Sequence, residues 1–475
     1  MSKFSDKCRE LLTENGYNVY RLSQAASLER TTLQRMVTGK RLPGQEFVEN
    51  FCRALRIPFL EEKEVMELYK MESIGESAYL NQKTILQLFD TLSNLDKEEK
   101  RNNYKVIDHG DLELLSPIAD DTYDTEMLLQ FILKKTINTE DQPIIYTNIP
   151  GTNTLLSHYL MLLAPQYQKE ISVKHLIYFQ TNISSAHANL ETLNQVLPLC
   201  FSKTIHYEPF YYYSKLSKSD QPNLLFPFYI ITGNYVLQLS GNFEKGILHS
   251  DPHIIKEYKK EFERCLCQSM PLLQQSNNLE ESLNLYLTCQ NQPKNIITLE
   301  PALCDTDLIS KQQFVQLVTQ YTPEYIPMLN AYNAFVDMVH QTSRTSFFTE
   351  AGLKKFCKSG ITSGTSHVIF PAFNEAERVS SLKHYLAHYE NSEKKLLNQR
   401  FVFPDSFYIE LRDKRTLHFI RTVDKDNITF ITIQESSICD AFEEFFEILG
   451  NSSEYVFSDK DLLSLLKDEL DHLNS

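Results

Sequence analysis

Apolar residues recur at the spacing of amphipathic helices through the first 57 residues. Four helices are predicted in this stretch, with glycine stops at Gly16 and Gly39, and a fifth is predicted from Glu61 to Met71. The expected inward positions are Cys8, Leu11 and Leu12 in the first helix, Leu22, Ala25 and Ala26 in the second, Leu33, Met36 and Val37 in the third, and Phe47, Phe51, Ala54 and Leu55 in the fourth. The pattern predicts an all-α domain over residues 1–72.

The third helix of this domain has a polar outer face, because its apolar residues all fall on the inner one. Arg and Gln side chains can make paired hydrogen bonds with base edges in the major groove of DNA, and Thr offers a hydroxyl and a methyl group. Basic residues just after such a helix are placed to meet phosphates. The residues predicted to contact DNA are Arg30, Thr31, Thr32, Gln34, Arg35, Thr38, Lys40 and Arg41. The predicted partner is double-stranded DNA.

The pattern changes after residue 72. Residues 73–140 are mostly helical in pattern and contain the charged stretch Asp96–Asn103, which predicts a helical linker. Further on, short β-rich runs alternate with helical ones, as is typical of an α/β or α+β region. Two domains are predicted there, at 141–290 and 295–475, divided near 290–294.

Each of these two domains contains the same order of elements. Three strands at 205–213, 226–232 and 235–240 precede a helix at 251–262, and three strands at 407–411, 416–421 and 428–433 precede a helix at 437–449. The recurrence favours two related halves. The expected fold class is therefore multidomain, with an all-α N-terminal domain followed by an α/β or α+β region built from two related halves.

Charge divides the chain unevenly. The formal net charge is −15, yet residues 1–57 hold ten Lys/Arg against six Asp/Glu, so the remaining 418 residues carry −19. An acidic remainder limits nonspecific attraction to DNA. The chain has no apolar run of about 18 residues and no signal-peptide pattern, and its nine cysteines are scattered. We expect a cytoplasmic protein with reduced cysteines and no membrane contact.

The segment Leu22-Ser23-Gln24-Ala25-Ala26-Ser27-Leu28-Glu29-Arg30-Thr31-Thr32-Leu33, closed by Gly39-Lys40-Arg41-Leu42-Pro43, resembles the Cro/C1-type family of helix-turn-helix regulators, also called the xenobiotic-response-element family. The resemblance covers roughly the first 60 of the 475 residues. It implies operator DNA as the partner and transcription regulation as the function. Because one helix-turn-helix reads only a half-site, it also implies a homodimer.

Four positions depart from the family pattern. Ser27 stands where the turn usually has Gly, and Val37 stands where an acidic residue is usual. Val19 replaces the common Gln at the start of the second helix, which removes an expected phosphate contact. Glu29 replaces a typical Ser, and its carboxylate is expected either to accept a hydrogen bond from a cytosine amino group or to repel the DNA backbone.

Signatures of catalysis are absent from the sequence. With only 13 glycines, the chain contains no Gly-x-Gly-x-x-Gly and no Gly-Lys-Ser/Thr phosphate cradle. The segment Gly360–Gly364 has Thr362 where a hydrolase would need Ser, and His384 and His388 lack the Glu of a zinc protease motif. The phospholipase-D pattern His-x-Lys-x4-Asp is absent from both halves. The sequence predicts no catalytic residues, no cofactor and no metal.

Two interpretations remain open for the α/β region. The first makes the protein a bacterial regulator whose α/β region senses a small-molecule or peptide effector, dimerises, or both. The second makes it a phage-defence or toxin-type enzyme whose helix-turn-helix serves autoregulation or tethering. The tract Tyr207–Tyr213 could line a ligand pocket or could alternate across a half-buried strand. For the N-terminal domain, the alternative to DNA binding is a bundle used only for protein contacts.

Overall fold

The computed structural model describes residues 2–99, 116–167, 169–181, 186–214, 225–288, 293–321, 323, 326, 329–362, 371–387, 393–424 and 427–474. The chain divides into two compact units, Met1–Lys83 and Thr84–Ser475. The first is helical, and the second contains two mixed sheets with helices around them. The predicted fold class, a multidomain chain with an all-α N-terminal unit and an α/β remainder, is confirmed.

The smaller unit consists of helices whose apolar stripes meet in one core. The described residues form α1 (Lys3–Glu14), α2 (Val19–Ala26), α3 (Arg30–Val37), α4 (Gln45–Leu55), α5 (Phe59–Ile74) and the start of α6 (Glu76–Glu99). Capping explains where two of them begin. Ser2 and Ser5 form a reciprocal capping box on α1, and the Asn18 side chain accepts a hydrogen bond from the Arg21 amide of α2 at 2.8 Å. The core surrounds the fully buried Leu33.

One inward position of α2 differs from the prediction. Leu22 is buried as expected, but Ala25 is exposed and Ser23 is buried. Ser23 tolerates burial because its hydroxyl donates to the Tyr20 carbonyl oxygen at 2.8 Å. The inward prediction for Ala25 was wrong, since the buried face of this short helix runs through Leu22 and Ser23 instead.

The larger unit begins with α6 and continues into its first half. The described elements of this half are β1 (Ile118–Ala119), α7 (Thr122–Thr139), β2 (Ile144–Thr147), α8 (Thr154–Tyr167), β3 (Ile171–Gln180), α9 (Ala186–Cys200), β4 (Ile205–Ser214), β5 (Phe228–Ile231), β6 (Val236–Leu239), β7 (Gly246–His249), α10 (Pro252–Leu266) and β8 (Met270–Pro271). Its sheet has the strand order β1-β7-β6-β5-β2-β3-β4-β8.

The second half follows directly. Its described elements are β9 (Leu273–Ser276), α11 (Leu279–Thr288), β10 (Asn295–Glu300), α12 (Asp305–Leu308), α13 (Lys311–Tyr321), α14 (Leu329–Gln341), β11 (Ser343–Thr349), α15 (Glu350–Ser359), α16 (Glu375–Ala387), β12 (Glu393–Leu397), β13 (Phe407–Arg412), β14 (Thr416–Asp424), β15 (Asn427–Ile433), α17 (Ser436–Gly450) and α18 (Asp459–Asn474). Its sheet has the order β12-β11-β10-β13-β14-β15-β9.

The two halves share one topology. In the first, β2, β3 and β4 pair in parallel, and β5, β6 and β7 continue antiparallel from the other side of β2. In the second, β10, β11 and β12 pair in parallel, and β13, β14 and β15 continue from the other side of β10. Even the edges correspond, since β1 pairs with β7 as β9 pairs with β15. The larger unit is an internal repeat.

The division between the halves lies earlier than predicted. The strand β9 pairs with β15 of the second sheet, whereas β8 pairs with β4 of the first. The chain therefore crosses from one half to the other at Leu272, not near residues 290–294. Sequence pattern could not show this, because strand pairing joins segments that are far apart in the chain.

Residues 73–140 also differ from the predicted linker. Phe89 of α6 and Ile132 and Leu133 of α7 are fully buried in the core that joins the two sheets. These segments are thus structural parts of the larger unit. Residues 100–103 of the predicted charged stretch Asp96–Asn103 lie outside the described residues.

The packing clusters stack in layers. The large core contains buried residues of α7, α8, α9 and α17 between the two sheets. On the outer face of the first sheet, Ile255 and Phe262 of α10 pack against Leu176, Ile231 and Val236. On the outer face of the second sheet, α15, α16 and α18 pack over β11 and β12. The larger unit is therefore a helix–sheet–helix–sheet–helix stack with α10 as an outer layer.

Candidate nucleic-acid interface

The turn between α2 and α3 is closed by one residue in a left-handed conformation. Ser27 has φ 53° and ψ 32°, a region in which a Cβ atom is crowded and glycine is favoured. This conformation explains why the Cro/C1-type pattern has Gly at the equivalent position. Leu28 then packs against the core of the unit and joins the turn to it.

Glu29 caps the N-terminus of α3. Its carboxylate accepts hydrogen bonds from the amides of Thr31 and Thr32 at 3.0 and 2.7 Å, and from the Thr32 hydroxyl. The Thr32 bonds and then the Thr31 bonds hold the pKa of this carboxyl below its usual range. This role was not among the two predicted for Glu29. It ties this carboxylate, beside the polar face of α3, to the helix backbone.

The C-terminus of α3 is closed by a Schellman motif. Gly39 has φ 67°, its amide donates to the Met36 carbonyl at 3.0 Å, and the Lys40 amide donates to the Arg35 carbonyl at 2.9 Å. The helix therefore ends at a defined point. Lys40 and Arg41 follow it immediately, and both side chains are exposed.

The predicted DNA-contacting residues separate into two groups. Six of them are exposed, namely Arg30, Thr31, Gln34, Arg35, Lys40 and Arg41. Thr32 and Thr38 are half-buried, and their hydroxyls donate within the helix, to Glu29 and to the Gln34 carbonyl at 2.7 Å. The exposed residues of α3 are thus Arg30, at its first position, and Thr31, Gln34 and Arg35 along its polar face.

Two further residues support this face, and sequence reasoning did not identify them. The Arg9 guanidinium of α1 donates to the Val37 carbonyl at 3.0 Å, which fixes the end of α3 against α1. The Tyr20 ring is 57% exposed and lies 5.4 Å from the guanidinium carbon of Arg30. Nothing in the sequence around Arg9 indicates that it contacts Val37, which lies 28 positions further along the chain. Tyr20 is an exposed aromatic residue that the helical pattern does reveal.

The tyrosine tract of the first half alternates across the sheet. Tyr207 and Tyr211 are buried in the core between the sheets, whereas Phe210 faces α10. His175 is fully buried beside them and contacts the Tyr207 hydroxyl and the Ile149 carbonyl, each at 2.6 Å. Burial lowers the pKa of His175 to about 4, so the ring is neutral. The tract therefore does not form one continuous pocket wall.

Other sequence candidates for chemistry have structural positions. Gly360 ends α15 with φ 73°, and Thr362 is buried beyond it. Tyr385 of α16 is buried, and His388 lies outside the described residues. Across the part of the chain that the structure describes, no three His, Cys, Asp or Glu side chains are grouped as metal ligands.

No protein-family model matches the chain, and no curated protein matches it. It is similar in structure to the archaeal chromatin protein TrmBL2, described as showing a novel mode of DNA binding, at 12% identity over 56% of this chain and 99% of that one, with a TM-score of 0.22. Two further solved structures have comparable TM-scores.

The first is the polyphosphate kinase of Porphyromonas gingivalis, at 11% identity over 69% of this chain and 45% of that one, with a TM-score of 0.20. The phosphatidylserine synthase of Haemophilus influenzae Rd KW20 has 9% identity over 75% of this chain and 94% of that one, with a TM-score of 0.23. TM-scores this far below 0.5 transfer neither fold nor function. No helix among the described residues is long and apolar enough to cross a membrane.

Proposed function

We propose that this protein is a transcription regulator that binds operator DNA by placing α3 in the major groove. The observation that carries the proposal is the face formed by Thr31, Gln34 and Arg35, which is exposed, polar and held at both ends of the helix. Its side chains match base edges in hydrogen-bonding chemistry. Lys40 and Arg41 are positioned beyond the helix for phosphate contacts.

The position of Glu29 supports DNA binding over a bundle used only for protein contacts. A carboxylate free to turn toward DNA would repel the phosphates, whereas here it is bound by the amides of Thr31 and Thr32. The basic character of residues 1–57 within an acidic chain also favours DNA over an acidic protein surface as the partner.

We further propose that the protein acts as a homodimer in the cytoplasm of a bacterium. A single recognition helix reads one half-site, and specificity normally comes from two units about 34–36 Å apart on one face of the DNA. In this proposal the α/β unit has a sensing role and performs no catalysis. Its internal repeat offers two equivalent frameworks, each with surfaces of its own, for such a role.

Genome-wide DNA enrichment with the full-length protein tests the proposal most directly. Operator binding predicts a small set of enriched sites that share a palindromic sequence, and their loss when Gln34 and Arg35 are both replaced by Ala. A matched variant with Gln24 and Lys83 replaced by Ala changes two exposed polar residues off α3 and should retain the sites. Enrichment without a shared sequence, or equal enrichment by both variants, would contradict the assignment.

A further inference from the structure

The outer helix α10 borders an open groove with three lysines in it. The groove has a volume of about 510 Å³ and is bounded on one side by Gly233 and Asn234, the turn between β5 and β6. On the other side, Lys256, Lys259 and Lys260 lie along one face of α10. This cationic set is unusual because residues 58–475 carry a net charge of −19.

Carboxylates of Glu257, Glu263 and Glu140 lie beside these lysines. Glu263 lines the groove, and Lys260 pairs with Glu257 at 2.6 Å. Burial raises the pKa of Glu140, beside Gly233, and the charge of Lys259 offsets part of that rise. Within the described residues, neither Lys256 nor Lys259 is in an ion pair, and the Lys259 ammonium lies 5.8 Å from the centre of the Tyr146 ring.

In the second half of the repeat, α17 follows its sheet as α10 follows the first. Both α10 and α17 have 15 residues, follow the third antiparallel strand of their sheet, and begin at an acidic N-cap, Asp251 or Glu435. Aligned on these caps, the two buried positions of α10, Ile255 and Phe262, correspond to the buried Cys439 and Phe446 of α17. At three further positions the charge is inverted: Lys256, Lys259 and Lys260 of α10 correspond to Asp440, Glu443 and Glu444 of α17.

In the second half, a lysine from the turn beside α17 neutralises one of these acidic residues. Lys414, in the turn between β13 and β14, forms an ion pair with Glu443. The matching turn of the first half has Gly233 and Asn234, which provide no charge. In the first half the carboxylate beside the turn is that of Glu140, which accepts a hydrogen bond from the Gly233 amide and acts on Lys259 from a different element.

We propose that the α10 groove binds a small phosphorylated molecule, whose phosphates lie against Lys256 and Lys259 on the lysine face of the groove. Lysine is a common phosphate ligand, and the groove has the volume of sites that hold nucleotide-sized ligands. Lys256 and Lys259 contact the phosphates from the helix, and the exposed Ser250 hydroxyl and Asn234 amide provide hydrogen bonds from the opposite side. This site does not depend on the proposed role of α3.

Calorimetric titration of the full-length protein tests the site, with pyrophosphate as the probe. Wild type should bind with one-to-one stoichiometry, and Lys256→Glu/Lys259→Glu should weaken binding by at least about tenfold. Asn234→Glu should weaken it as well, because it places in the turn the counter-charge that Lys414 provides in the other half. The control is Lys203→Glu/Lys245→Glu, which makes the same charge change at exposed lysines outside the groove and should leave binding unchanged.

Three results would overturn the proposal. Wild-type protein could show no saturable binding of pyrophosphate, or the control variant could lose as much affinity as the groove variant. In the third, a short DNA duplex would compete for Lys256 and Lys259 better than a nucleoside triphosphate does, which would assign the lysines to a nucleic acid. If the Glu variants fail to give the wild-type circular dichroism spectrum, Lys256→Gln/Lys259→Gln repeats the test without charge reversal.

Discussion

The hydroxyl of Tyr213 donates to Oε1 of Glu435 at 2.5 Å, and this bond joins β4 of the first half to the N-cap of α17 in the second. The other carboxylate oxygen accepts from the Ser437 hydroxyl at 2.7 Å and the Ile438 amide at 2.9 Å. Burial first, and then the bond to Glu435, raise the pKa of Tyr213. The Glu435 carboxylate is thus a buried polar group with hydrogen bonds on both oxygens, and one of those bonds connects the two halves.

The first prediction concerns this junction. Tyr213→Phe should lower the free energy of unfolding of the larger unit by about 1–3 kcal/mol, because it leaves a buried carboxylate with one bond fewer. Urea denaturation followed by far-ultraviolet circular dichroism measures the change. Tyr212→Phe is the matched control, since the two side chains are 40% and 41% exposed. Equal losses in both variants would show that the bond to Glu435 adds no stability.

The second prediction concerns the turn before α3, the proposed recognition helix. Ser27→Gly should raise the free energy of unfolding of the helical unit by about 0.5–1 kcal/mol, because glycine adopts φ 53° without the crowding of a Cβ atom. Ser27→Val should lower it, since a β-branched residue is more strained there. Differential scanning calorimetry of the full-length protein measures both. A Gly variant less stable than wild type would contradict the assignment of this turn.

The third prediction concerns acid stability. Because His175 has a folded pKa of about 4 and an ordinary value of 6.5, the unfolded chain binds the proton first as pH falls. The larger unit should therefore lose about 2 kcal/mol between pH 7 and pH 5 through this residue. His175→Gln should make the pH dependence shallower, measured by urea titrations across the range. His253→Gln, at an exposed position, should leave it unchanged, and identical slopes in all three proteins would exclude this role.

The fourth prediction separates base reading from charge attraction. Gln34 is exposed and uncharged, so it can affect DNA binding only through directional contacts. Gln34→Ala should cost about 1–3 kcal/mol at the preferred site and little on random DNA. Lys40→Ala should weaken binding to both alike and make the logarithmic salt dependence shallower by about one unit.

Fluorescence anisotropy titrations over a range of salt concentrations measure both variants of this pair. The control is Lys83→Ala, an exposed lysine outside the interface, which should behave as wild type. If Gln34→Ala and Lys40→Ala leave operator binding intact in a folded protein, the role assigned to α3 is wrong. The N-terminal unit would then be a protein-binding bundle.

The helical unit could be predicted in detail because its signals are local. Leu33, Met36 and Val37 are buried as their spacing predicts, and Gly39 closes α3 where the pattern places a stop. A helix is specified by residues three and four positions apart, so one segment contains its own information. The exposed face with Gln34 follows from the same spacing. Thr32 and Thr38 were less predictable, because their hydroxyls turn back to the helix itself.

The predicted strands lie within three residues of observed ones, but β7, β10 and β11 were not predicted, and neither were the strand partners. The runs at 407–411 and 428–433 lie within β13 and β15, yet nothing in them indicates that β9 completes their sheet. Pairing depends on register and burial between distant segments, and these become defined only when the sheet assembles. The same reason explains why the halves divide at Leu272.

By itself the sequence determined the helices of the first unit, several strands of each half and the polar face of α3, since periodicity and turn chemistry act over a few residues. Only the tertiary structure decided which polar groups from distant parts of the chain form hydrogen bonds with each other. The Tyr213–Glu435 bond spans 222 positions, and the Arg9–Val37 bond spans 28. Likewise, the lysines of α10 form a groove only because the turn at Gly233 packs opposite them. Contacts of this kind depend on the whole fold, because chain distance places no limit on which side chains become neighbours.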